Sequence, residues 1–197
     1  PGETFVYDFV LQDAGTFWYH PHMNTAAQVG RGMYGALVVD DPAEPDLGDE
    51  LVLLLSDMSV WDDGQLRAAD SGGQFGQLFG HEGNVLLVNG KVNPTLVVRS
   101  GRRQRWRLIN GARSRYFTVG FEGQQWLRVG GDGGLMAEPV SVDAPVLVAA
   151  ERGDYIIEPQ GERGSEVQVE WIPTERGYGS TFNRFPAPLF RVQFVDG

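Results

Sequence analysis

Gly15-Thr16-Phe17-Trp18-Tyr19-His20-Pro21-His22 is the stretch on which the reading turns. Aromatic and β-branched residues after a glycine favour a pleated, half-buried strand. In an extended chain alternate side chains share a face, with same-face Cα atoms roughly 6.5–7 Å apart. Thr16, Trp18, His20 and His22 therefore fall on one side. Pro21 has no ladder donor, so the histidine pair belongs at a strand end or rim, where a site is accessible. Two imidazoles side by side suit copper, zinc, nickel or iron. Their spacing allows one metal between them, or one ligand each to two adjacent metals. His-x-His also arises by chance. This one stands out because two of only three histidines in the chain fall here, within an aromatic strand.

Outward from this stretch the chain reads as short strands divided by glycine-rich turns. Phe5, Tyr7 and Phe9 alternate with Thr4, Val6 and Asp8, and Gly35–Val39 is a β-type run that ends at Asp40-Asp41-Pro42. The pattern continues at 51–55, 85–88, 95–99, 104–109, 117–121, 126–129, 146–149, 155–157, 167–171 and 189–195. Runs of this length bounded by Gly, Pro, Asn and Asp predict an all-β sandwich or barrel. Helical periodicity is weak; one or two turns at Thr25–Val29, before Gly30, are the best candidate.

Composition removes several classes. The 197 residues contain no cysteine, which excludes disulfide scaffolds, thiolate metal sites and cysteine nucleophiles. A net charge of −10 argues against a nucleic-acid or anionic-membrane surface. With 42% apolar residues and five tryptophans, disorder is not expected. The aliphatic run Leu51–Leu55 is far too short to span a bilayer. The chain opens at Pro1 rather than methionine, and we read it as a processed or truncated piece. Residues 42–50, acidic with two prolines, read as a linker. Residues 51–197 fit one complete sandwich, whereas residues 1–41 are too short to bury a core alone and read as part of another domain.

Three blocks resemble the end of the first cupredoxin domain of multicopper oxidases: Pro1–Phe9, Ala14–His22 and Gly32–Pro42. Asn84–Lys91, Arg105–Gly111, Gly130–Leu135 and Ala150–Tyr155 resemble the second domain of the bacterial three-domain, laccase-like type. The resemblance implies a cupredoxin-like Greek-key β-sandwich: 1–41 as the C-terminal part of domain 1, 42–50 as linker, 51–197 as domain 2. It implies that His20 and His22 ligate the type 3 copper pair of a trinuclear cluster. It further implies one-electron oxidation of a reducing substrate, phenol-like or a metal ion, coupled to four-electron reduction of dioxygen to water. The type 1 copper needs a cysteine, so it is not in this chain. The partners implied are the rest of domain 1 and a domain 3, in a periplasmic or extracellular setting, and the 197 residues alone are expected to be inactive. Pro21, where many laccases have serine, resembles the copper-efflux branch.

Two other classes stand beside this one. Copper-free structural relatives, of the kind used in bacterial cell division, have lost the ligand histidines, but this sequence has both. Two-domain nitrite reductases carry a cysteine ligand near the corresponding histidine, and this sequence has none. Of the remaining candidates, His81 reads as a solvated loop residue, Gly130–Gly134 as a tight turn rather than a phosphate cradle, and Asp57 as a turn-closing residue. Arg103, Arg105 and Arg107 read as a solvated or domain-contact face, and Glu151 with Arg152 as a turn or inter-domain pair. The tryptophans read as core, except Trp18, which can wall the cluster. Ser180 has no nucleophile-elbow context.

Overall fold

The computed structural model describes residues 2–175 and 185–196. Ser180 lies outside them. In chain order the elements are β1 (Gly15–Tyr19), α1 (Thr25–Val29), β2 (Gly35–Val39), β3 (Asp49–Met58) and α2 (Gly73–Phe79). They continue with β4 (Val85–Val88), β5 (Thr95–Arg99), β6 (Gln104–Asn110), β7 (Phe117–Gly120) and β8 (Trp126–Gly131). The last are β9 (Gly134–Val142), β10 (Val146–Leu147), β11 (Arg152–Ile157), β12 (Glu166–Ile172) and β13 (Ala187–Val195).

Two sheets form a sandwich. One has six strands in the order β4-β3-β6-β11-β8-β9, the other five in the order β10-β7-β12-β13-β5. Most neighbours are antiparallel; β3–β6 and β13–β5 are parallel, and both pairs join strands far apart in sequence, since a hairpin cannot connect parallel neighbours. Period-two alternation decides what lies between the sheets. Leu53, Leu55, Trp106, Leu108, Tyr155 and Ile157 from the first sheet meet Phe117, Val119, Val169, Trp171, Phe190 and Val192 from the second. Trp106 is fully enclosed, with its ring centroid 5.4 Å from that of Trp126 and 6.0 Å from that of Phe190. Burying each such side chain contributes roughly 1.5–3 kcal/mol. Trp106, Trp126 and Trp171 are core, as expected; Trp61 is exposed beneath the Arg67 guanidinium.

β1 and β2 form a separate two-stranded antiparallel ribbon, paired from Gly15↔Val39 to Tyr19↔Gly35. It lies against the six-stranded sheet through β6, β8, β9 and β11.

Several expectations need correction. Thr4–Phe9 is not a strand, and Phe5, Tyr7 and Phe9 are exposed. Its alternation is genuine, but no strand among the described residues completes its ladder. α2 forms in a glycine-rich stretch that carries no helical signal or side-chain cap. β9 contains Pro139, which is tolerated because β9 is an edge strand. The turn at Gly130–Gly134 is as expected: Gly131 pairs with Gly134, whose φ is +92°. Asp57 does not close a turn. It is buried in β3, where its carboxylate accepts from Arg115 Nε at 2.8 Å and from the Gly83 amide at 2.7 Å.

The arginine face of β6 departs furthest from a solvated reading. Every residue of β6 is buried, on both faces. Trp106 and Leu108 point into the sandwich, while Arg105 and Arg107 lie beneath the ribbon and the segment that follows it. Only Arg103 stays exposed.

Candidate metal centre

The histidine pair is reached from β1. Alternation along the strand turns Thr16 and Trp18 to the same side, and the chain carries that side beyond Tyr19 to His20 and His22. The rings form a column. Trp18 stacks on His20 with centroids 4.3 Å apart and planes at 23°. His20 stacks on His22 at 4.8 Å and 24°. Tyr34 closes the side of Trp18, edge on at 6.4 Å. Burial pushes the Tyr34 phenol up, while a hydrogen bond with Ser56 partly offsets this.

The turn after the strand is fixed locally. The Pro21 carbonyl accepts a hydrogen bond from Thr25 Oγ1 at 3.1 Å, and the Gln28 side-chain amide donates to the Met23 carbonyl. Asn24 takes a left-handed conformation, φ 48°, so that α1 can start directly behind the pair. His20 Nδ1 lies 3.3 Å from the same Pro21 carbonyl oxygen. In the tautomer protonated at Nδ1, the ring donates to that carbonyl and Nε2 keeps its lone pair for a metal. The sequence identifies the pair but not this carbonyl partner, which is a backbone atom and leaves no signature in residue type.

As a donor type, the pair fits copper. Among the described residues no group of three or more His, Cys, Asp or Glu side chains gathers to hold a metal. The pair is thus a fitting but partial ligand set, since copper sites of tetragonal or trigonal geometry take more than two protein donors. His81 does not join it. Nor is His81 solvated: its Nε2 lies 2.6 Å from Ser59 Oγ, and its backbone N–H donates to Ser114 Oγ. Burial holds the His81 imidazole below its ordinary pKa, with Arg113 adding to the effect.

The base of the column is charged and buried. Thr16 Oγ1 donates to Asp154 Oδ1 at 2.6 Å and accepts from Arg107 Nη1 at 2.9 Å. Asp154 Oδ2 accepts from Arg105 Nη2 at 2.5 Å and lies 3.3 Å from Arg107 Nη1. Glu50 binds Arg107 Nη2 at 2.8 Å, and Glu44 binds Arg105 Nη1 at 2.5 Å. Burial alone lowers the Arg105 pKa, but hydrogen bonds to Glu44 and Asp154 outweigh it and the net shift is upward. So the arginines form the contact between ribbon, connecting segment and sandwich. Glu151 and Arg152 do not pair with each other. Glu151 binds Arg128 at 2.9 Å, whereas Arg152 Nε donates to the Thr16 carbonyl at 3.0 Å.

Comparison with known proteins agrees with the fold. Models described as multicopper oxidase match residues 1–44 and 49–165, and the chain belongs to the multicopper oxidase family. Its architecture is accordingly the cupredoxin-like Greek-key β-sandwich. It is similar to the laccase of Bacillus subtilis, 32% identical over 178 residues that cover 82% of this chain and 34% of the relative. It is 30% identical over 192 residues to multicopper oxidase MmcO of Mycobacterium tuberculosis, covering 82% of this chain and 37% of that one. The crystal structure of a multi-copper oxidase from Pseudomonas thermotolerans superposes with a TM-score of 0.83 at 29% identity, covering all of this chain and 44% of that one. The chain spans about a third of the length of the curated relatives it matches.

Proposed function

We propose that the chain is part of a laccase-like multicopper oxidase, with 1–41 the end of a first cupredoxin domain, 42–50 a linker and 51–197 the second domain. In this reading His20 and His22 are ligands of the type 3 copper pair. The intact protein takes four electrons, one at a time, from a phenol-like or metal-ion substrate and passes them with four protons to dioxygen, giving two waters. Copper, when bound, supplies the one-electron redox steps and the dioxygen chemistry. This chain's own residues do simpler things. His20 and His22 present imidazole nitrogens, the Pro21 carbonyl accepts a hydrogen bond from the Nδ1–H of His20, and Trp18 shields one face of the His20 ring. The sandwich carries the ribbon that bears the pair and is the scaffold for the partner domains, the remainder of domain 1 and a domain 3.

The observation that carries the reading is the parallel stack of His20 and His22 at the end of a strand, in a chain of this family. A copper-free scaffold has no need of that pair, and a nitrite reductase has a cysteine that this chain lacks. Among the described residues no helix is long and apolar enough to cross a membrane. A periplasmic or extracellular location belongs to the same proposal.

The test is to purify the 197 residues and measure copper uptake and oxidation of a phenolic dye. Expected are copper uptake that needs His20 and His22, and no turnover. Turnover by the chain alone, or uptake unchanged when both histidines are replaced, overturns the reading.

A further inference from the structure

A two-stranded ribbon is marginally stable by itself and twists readily. Pairing with β2 fixes the register of β1 but not how the ribbon is rotated against the sandwich. That rotation decides where the Trp18–His20–His22 face points. The hydrogen bonds from β1 itself to the sandwich converge on one residue. The Thr16 hydroxyl donates to Asp154 and accepts from Arg107, and the Thr16 carbonyl accepts from Arg152. Thr16 is fully buried. Arg107 on β6 and Asp154 on β11 are directly opposed in the antiparallel ladder, so they form a rigid cross-strand socket. Glu50 holds Arg107 and Glu44 holds Arg105 independently of Thr16, which leaves the socket formed whether or not the hydroxyl enters it. Backbone approach is close at the same point: a Cβ on Gly134 would sit 3.0 Å from the Ala14 carbonyl oxygen.

We propose that Thr16, seated between Asp154 and Arg107, is a positioning residue for the His20–His22 pair. The clamp locks the rotation of β1. It acts roughly 13 Å along the strand, on the same face, to hold the two imidazoles in their stacked presentation. The hydroxyl donates to the carboxylate and accepts from the guanidinium through a single atom. Valine has the same shape and does neither. The proposal rests on the reading of His20 and His22 as copper ligands, and its test separates the two claims.

The metal-free chain is compared by NMR, then titrated with copper(II) alone. In the wild type, the Trp18 ring current displaces the His20 ring protons upfield, because the rings stack. Thr16→Val is expected to lose that displacement and to bind copper about tenfold more weakly, a loss in the range seen when an outer partner of a metal ligand is removed. Thr16→Ser is expected to keep both. Val88→Ala, a core change far from the clamp in sequence, is expected to lower the melting temperature and leave both unchanged. Retention of the wild-type ring shift in Thr16→Val, loss of it in Thr16→Ser, or an equal loss in Val88→Ala overturns the positioning role. Loss of the ring shift in Thr16→Val, with copper binding indifferent to replacing both histidines, supports the clamp and overturns the ligand reading instead.

Discussion

Asp154→Asn is the substitution whose cost follows most directly from the contacts. The carboxylate is almost wholly buried and takes four hydrogen bonds: from Thr16 at 2.6 Å, from Arg105 at 2.5 and 3.2 Å, and from Arg107 at 3.3 Å. Asparagine removes the charge and replaces one of the two accepting oxygens with an NH2 donor. Breaking a buried ion pair costs about 3–5 kcal/mol, mostly from the charge left behind. Glu44 and Glu50 remain on the two arginines, so the lower end, about 3 kcal/mol, applies here. Urea unfolding of the full chain is the assay. With a slope of about 2 kcal/mol per molar, the midpoint should fall by about 1.5 M at unchanged slope. Salt at about 0.5 M should leave the difference nearly intact, because buried charges are poorly screened. The exposed Arg99–Asp49 pair is the internal reference, and Asp49→Asn should cost no more than about 1 kcal/mol. A loss below about 1 kcal/mol for Asp154→Asn, or one that salt removes, refutes the view that this cluster binds ribbon to sandwich.

Other outcomes are checked on the same urea curves. Trp106→Ala should cost about 3–5 kcal/mol, since the ring is fully enclosed between the sheets. Gly83→Ala should cost at least about 1–3 kcal/mol, because its Cβ would fall 2.5 Å from Met58 backbone atoms. His81 gives a pH dependence. Its folded pKa is lowered by burial, so the folded state resists protonation. Its contribution to stability is therefore complete above the ordinary value of 6.5 and is lost as pH falls through the folded pKa. His81→Gln should flatten that arm, so that the difference between wild type and variant narrows toward acid pH; an unchanged profile counts against it.

Local patterns carried most of the strands into view. Val85–Val88 and Thr95–Arg99 stand in the structure with the limits their residues suggest, since Gly, Asn and Pro mark the turns on both sides. The common face of Thr16, Trp18, His20 and His22 was legible for the same reason: period two needs only local information. What depends on distant partners was not. For Arg105 and Arg107 the alternation left two readings, a solvated or a domain-contact face; the second holds because Glu44, Glu50 and Asp154 come from other segments, and a local pattern does not choose between the two. A clue lay in the surplus of acid at Glu44–Glu50, which needed a basic face to cover. Asp57 and His81 were misread for the same reason, their partners Arg115 and Ser59 lying far along the chain. Thr4–Phe9 shows the converse: alternation records that a segment can pair, not that a partner strand is at hand.

The most direct test of the account is the electron paramagnetic resonance spectrum of the chain loaded with one equivalent of copper(II), resolved for nitrogen couplings. Imidazole nitrogen couplings are expected in the wild type, fewer or weaker in His20→Ala or His22→Ala, and none when both are replaced. A spectrum that is the same in the wild type and the double variant contradicts the central claim that His20 and His22 are a copper-ligating pair.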